Sequence, residues 1–241
     1  AKPRCQPDAL DLSSTNGGKV VGTHVHLTTP WLDLNGGEIG AYDALHANLT
    51  QLLGLGRLFG ERRLDARFSG DFTFDGGQRF ESNGLLHLAA AGTWDNRGNL
   101  TTQGTLELSA GRVVNTGTIN ASNGGTGRNA ISAGSIDNRG TLEGDTVELT
   151  ATDITNTASI LGDTVIITAD RLTNGRDLGT LDAAIDYGEG FIGASQLLVL
   201  RIAGRLANLD AELYSLGDLV VSCRRPGTRL DSNVEDDTSA V

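Results

Sequence analysis

GSIDNRGTLEGDTVELTA at 134–151 runs directly into TDITNTASILGDTVIITA at 152–169, and the two segments are one motif written twice. Ile136 and Ile154 stand two places before an asparagine, Asn138 and Asn156. A small residue, Gly140 or Ala158, stands two places after it, and Leu142 or Ile160 follows four places on. Each copy then alternates apolar and polar residues, Val147 and Leu149 in one, Val165 and Ile167 in the other. Alternation with period two is the pattern of a strand with one face buried and one face wet. A helix would need apolar residues at i, i+3, i+4 and i+7, and no window supplies them.

Working outward, the same motif appears in GTWDNRGNLTTQGTLELSA at 92–110, in GRVVNTGTIN at 111–120, in DRLTNGRDLG at 170–179 and in GRLANLDAELYSLGDLVVS at 204–222. The motif asparagines are Asn96, Asn115, Asn138, Asn156, Asn174 and Asn208, spaced by 19, 23, 18, 18 and 34 residues. The preceding apolar residues are Trp94, Val113, Ile136, Ile154, Leu172 and Leu206. The following ones are Leu100, Ile119, Leu142, Ile160 and Leu178, and the sixth copy slips by one to Leu213. Strands this short cannot hide an apolar face alone, whereas stacked repeats bury one continuous column. The expected fold is therefore an all-β solenoid of roughly ten coils at ~4.8 Å per coil.

The first 90 residues carry a looser version, with VGTHVHL, PWLDLNGGEIG, ALHANLTQLLG and NGLLHLAA as earlier coils. The division is an irregular segment at 1–17, a solenoid at 18–222 that is degenerate to about 91 and regular from 92, and an irregular tail at 223–241. The asparagine suits a corner in the left-handed backbone region, and the small residue after it suits the same turn. Stacked in register, the amides form a ladder from coil to coil. Ligand binding by these amides is the competing reading.

Glycine numbers 33 and proline only 4, which fits tight turns between strands better than a disordered linker. The net charge of −11 repels phosphate backbones, so no nucleic-acid partner is expected. No apolar run approaches the roughly 18 residues of a spanning helix, and with two lysines, Lys2 and Lys19, no basic membrane-surface patch arises. Membrane insertion is therefore not expected. No leader pattern precedes the repeats and methionine is absent, so the chain reads as a segment of a larger protein. About ten coils separate Cys5 from Cys223, too far for the ~7 Å that a disulfide tolerates between Cα atoms.

The segments GTLELSAGRVVNTGTI, IDNRGTLEGDTVELTA and LTNGRDLG resemble the haemagglutinin repeats of two-partner-secreted exoproteins, the filamentous haemagglutinins and the contact-dependent growth inhibition toxins. The resemblance covers about 18–222 and is densest from 92 to 180. It implies a right-handed parallel β-helix, export through an outer-membrane two-partner secretion transporter, and display as a filament at the bacterial cell surface. It implies the shaft of an adhesin meeting a receptor or glycan on a host or bacterial target cell, or alternatively the display stalk of a growth inhibition toxin. It also implies few cysteines, with which Cys5 and Cys223 sit awkwardly.

The segment GRDLGTLDAAIDYGEG at 175–190 stretches one coil to 34 residues. Long loops on repeat scaffolds carry binding, so Asp182, Asp186, Tyr187, Glu189 and Phe191 are the candidate contact residues. His24 and His26 share a strand face, yet no third ligand follows at metal-binding spacing, and His46 and His87 stand alone in the sequence. GGTGRN at 124–129 falls short of a calcium repeat because it occurs once and has Asn129 in place of aspartate. No metal, cofactor or catalytic residue is assigned. A β-helix polysaccharide-processing enzyme is the distant alternative; it needs clustered carboxylates, and the densest run, Glu235–Asp236–Asp237, lies in the tail. The free coil ends are edge strands, so end-to-end association or fraying is expected.

Overall fold

The computed structural model describes residues 12–13, 17–176, 189–223 and 229–232. The described residues form eighteen strands and no helix, and every pairing between them is parallel. The chain winds into about ten coils, and three outward faces repeat in each. In the coil of the motif, the first face is 141–144, the second 146–151 and the third 153–156. Each pairs in register with its equivalent one coil on, as in Leu142↔Ile160, Val147↔Val165 and Asn156↔Asn174. The fold is a parallel β-solenoid.

The period-two pattern explains why. On the second face, Leu45, Leu64, Leu86, Leu106, Val147, Val165 and Leu198 form one inward column and are each fully buried. Ala47, Ala66, Leu88, Leu108, Ile131, Leu149, Ile167 and Leu200 form a second, two residues along. One turn supplies only a few apolar side chains, but each is covered above and below by its copies, so the core is continuous along the axis. In the third and fourth coils the column widens into aromatic rings. Phe68 stacks on Phe72 at 3.9 Å, and both pack against Phe80 and Trp94.

The looser first 90 residues belong to the same array. Lys19–Asp33 pairs with Gly37–Leu53, which pairs in turn with Gly56–Gly60 and Arg63–Phe68. Two short strands fall outside the expected solenoid bounds: Leu12–Ser13 pairs with Leu32 and Asp33, and Arg229–Ser232 pairs with Arg205 to Asn208. Terminal coils need only one neighbour, so backbone pairing there proceeds without a full alternating pattern. Leu219 and Val221, which continue the inward columns, are 50% and 41% exposed in the last coil.

One expectation about the asparagines is corrected. Asp210 is the one described non-glycine residue with positive φ, so the motif asparagines use ordinary extended backbone. They end the third-face strands with their side chains turned into the core, where their amides find partners that a solvent-facing corner would not require.

Candidate functional site

The buried polar element is the asparagine ladder. Asn96 donates from Nδ2 to Asn115 Oδ1 at 2.7 Å, Asn115 to Asn138 at 2.8 Å and Asn138 to Asn156 at 2.7 Å. Asn156 donates to Asn174 at 2.7 Å and Asn174 to Asn208 at 2.8 Å. The second N–H of each amide goes to backbone carbonyls, such as Thr141 from Asn115 and Ser159 from Asn138. The first five amides are fully buried, so they hold the coils in register and are closed to ligand. The ladder starts abruptly: Phe74 occupies the equivalent position one coil earlier, and Asn96 Oδ1 has no donor.

The extra length of the long coil enters at a defined point of the pairing register. Thr141 and Ser159 are paired 18 residues apart, Ser159 and Phe191 32 apart, and Arg171 and Arg205 34 apart. Fourteen extra residues therefore fall between Asn174 and Phe191, and two more are absorbed at later corners. Ile192 pairs with Ile160, taking the inward place that the motif spacing gave to Leu178. Gly175 has φ +96°, and a Cβ there would lie 1.9 Å from the Leu209 carbonyl oxygen, so this exit requires glycine.

Of the candidate contact residues, Asp182, Asp186 and Tyr187 lie outside the described residues, as does Leu178. Glu189 is exposed at the return of the insertion. Phe191 is the first residue of the next strand, paired with Ser159 and Glu212, and so belongs to the scaffold. Its ring lies across Gly193, where a Cβ would come within 2.4 Å of Phe191 Cε1 and 3.5 Å of Leu161 Cδ2. Tyr214, 43% exposed, occupies the column of Gly193 one coil on. Leu161, Phe191 and Tyr214 thus form an apolar platform on the first face, bordered by the exposed acids Glu189 and Glu212.

No family model, curated protein or solved structure matches this chain. The sites therefore rest on geometry alone.

Sequence reasoning missed a second constellation. His26, His46, Asp65 and His87 occupy one outward column of the second face in four successive coils. His26 and His46 stack with centroids 4.9 Å apart and planes at 8°. His46 Nδ1 lies 3.5 Å from Asp65 Oδ2, and His87 Nδ1 lies 2.9 Å from Asp65 Oδ1. Arg63 and Arg67 donate to the same carboxylate at 3.2 and 3.0 Å. Burial pushes the Asp65 carboxyl up, but hydrogen bonds from Arg67 and His87, with their charges, outweigh it and hold the group well below the usual carboxylate range. The signal was a spacing of 20, 19 and 22 residues, one coil each, hidden by unequal turns.

The near-calcium turn is built in the opposite electrostatic sense. Backbone N–H groups of Asn123 and Gly127 donate to Asp145 at 3.0 and 2.7 Å, and these bonds, with one from Gly125, lower that carboxyl below its ordinary range. The turn presents amides to an anion. Asn129 is fully buried in the leucine column, donating to the Ile119 and Glu143 carbonyls at 3.2 Å each.

A groove of about 640 Å³ runs along the corner between the second and third faces, lined by Ala133, Ala151, Ala169, Thr168, Asp170 and Arg201 among others. Asp170 is its one carboxylate among the lining residues.

Proposed function

We propose that this chain is a structural shaft of a secreted bacterial surface filament that mediates adhesion or cell–cell contact. The observation that carries the reading is the ladder: five consecutive amide-to-amide bonds from Asn96 to Asn208 lock successive coils at a fixed pitch. A rod stiffened by a buried hydrogen-bonded column transmits position and force along its length, which is what a projecting filament must do. The sequence resemblance to the haemagglutinin repeats supports the same reading, since it implies a parent protein displayed at the cell surface after passage through an outer-membrane transporter.

The contact surface in this reading is the platform of Leu161, Phe191 and Tyr214 together with the insertion that ends at Glu189. The test is binding of the fluorescently labelled chain to host cells and to related bacteria. A variant with 177–188 replaced by a short Gly-Ser linker, and Phe191→Ala, serve as comparisons. Saturable binding to host cells, lost in both variants, is expected of an adhesin. Binding confined to bacteria indicates a stalk for growth inhibition, and absence of binding to either refutes an adhesive role for this segment.

A further inference from the structure

We propose that His26 and His46 form a two-imidazole site for a divalent transition metal ion on the second face of the first two coils.

All four histidines of the chain, His24, His26, His46 and His87, lie on this one face within four coils. His26 and His46 are adjacent across paired parallel strands, and His26 is exposed. Their rings are nearly parallel at 4.9 Å, so a modest rotation of each about its χ2 axis converges two ring nitrogens. A bound ion needs those nitrogens ~2.0–2.1 Å from itself. A surface side chain makes that rotation at little cost, because terminal torsions of histidine are broad.

The surroundings favour a metal over other ligands. A metal-ligating histidine commonly turns its second ring nitrogen to a carboxylate, which fixes orientation and raises basicity. His46 lies near such a carboxylate, its Nδ1 3.5 Å from Asp65 Oδ2, and its Nε2 is left for a ligand. Asp65 is in turn anchored by Arg63 and Arg67, so it is a fixed anion behind the site. His24, two residues from His26 on the same strand face, has its Nδ1 3.3 Å from Asp43 Oδ2. Among the described residues no three potential ligands already converge, so the site is a two-imidazole one completed by water. Imidazole donors suit Zn²⁺, Ni²⁺ and Cu²⁺ and discriminate against Ca²⁺ and Mg²⁺, which prefer oxygen.

The experiment titrates the 241-residue chain with Ni²⁺ at neutral pH. It follows the histidine ring protons by NMR and the affinity by calorimetry. Paramagnetic broadening is expected first at His26 and His46, with His87 affected last. His46→Gln and His26→Gln should each weaken binding by about ten-fold or more, while His87→Gln, which reaches the site only through Asp65, weakens it less. Circular dichroism of each variant confirms the fold, and His26, being exposed, is the safer substitution. Equal broadening of all four histidines, or wild-type affinity in His26→Gln, overturns the proposal.

Discussion

Replacing Asn138 by alanine removes the middle rung of the ladder, and the cost follows from its partners. Asn138 accepts from Asn115 at 2.8 Å and donates to Asn156 at 2.7 Å and to the Ser159 carbonyl at 3.1 Å. After truncation, one N–H of Asn115 and the Oδ1 of Asn156 are stranded in a region with no exposure to water. Each stranded group costs ~1–2 kcal/mol, giving about 3 kcal/mol in all. For a chain of this size that corresponds to a drop in Tm of ~6–12 °C. Asn96→Ala is the internal control. Its Oδ1 already lacks a donor, so its removal strands one amide group, the Oδ1 of Asn115. Its cost should be about half that of Asn138→Ala. Thermal melts by circular dichroism measure the pair, and amide hydrogen exchange localises the loosening to the coils on either side of the lesion, since repeat arrays open in pieces. Equal costs for the two variants, or less than ~1 kcal/mol for Asn138→Ala, would refute the view that the amides bear on coil register.

Three further outcomes are expected. Gly175→Ala must adopt a left-handed φ and intrude on the Leu209 carbonyl, so it should cost ~2–4 kcal/mol in chemical denaturation, whereas Gly124→Ala, with positive φ but open space around it, should cost ~1–2 kcal/mol. The Asp65 carboxyl is lowered in the folded chain, so its stabilisation is complete above the unfolded value of about 3.9 and is lost as pH falls through the lower folded value. Melting temperature should therefore fall less steeply below about pH 4 in Asp65→Asn than in the parent, despite a lower value at neutral pH; parallel curves would contradict this. Because Leu219 and Val221 are half exposed on an edge with no further strand among the described residues, the chain should self-associate end to end at high concentration, and Val221→Lys should suppress it. Light scattering that finds a strict monomer at all concentrations would argue against that edge being sticky.

The sequence by itself determined the solenoid. Every coil has an apolar column to cover, and from Asn96 onward each also has a ladder amide to satisfy, so Asn96 through Asn208 and the alternation at Val147, Leu149, Val165 and Ile167 recur visibly. It also located the insertion after Asn174. It misplaced the return, because Leu178 and Ile192 are both apolar residues after a turn, and only the pairing of Ile192 with Ile160 selects between them. It assigned the asparagines to a left-handed corner because Asn favours such turns; burial and the amide bonds place them inside the strand ends. Tertiary structure alone decided which outward residues become neighbours. His26, His46, Asp65 and His87 carry no shared motif, and the turns between them differ in length, so their column exists only once each strand is in register. Asp145 meets the 123–127 amides for the same reason. Inward positions repeat because the core constrains every coil alike, whereas outward positions are free to vary, so their meaning depends on what the stacking sets beside them.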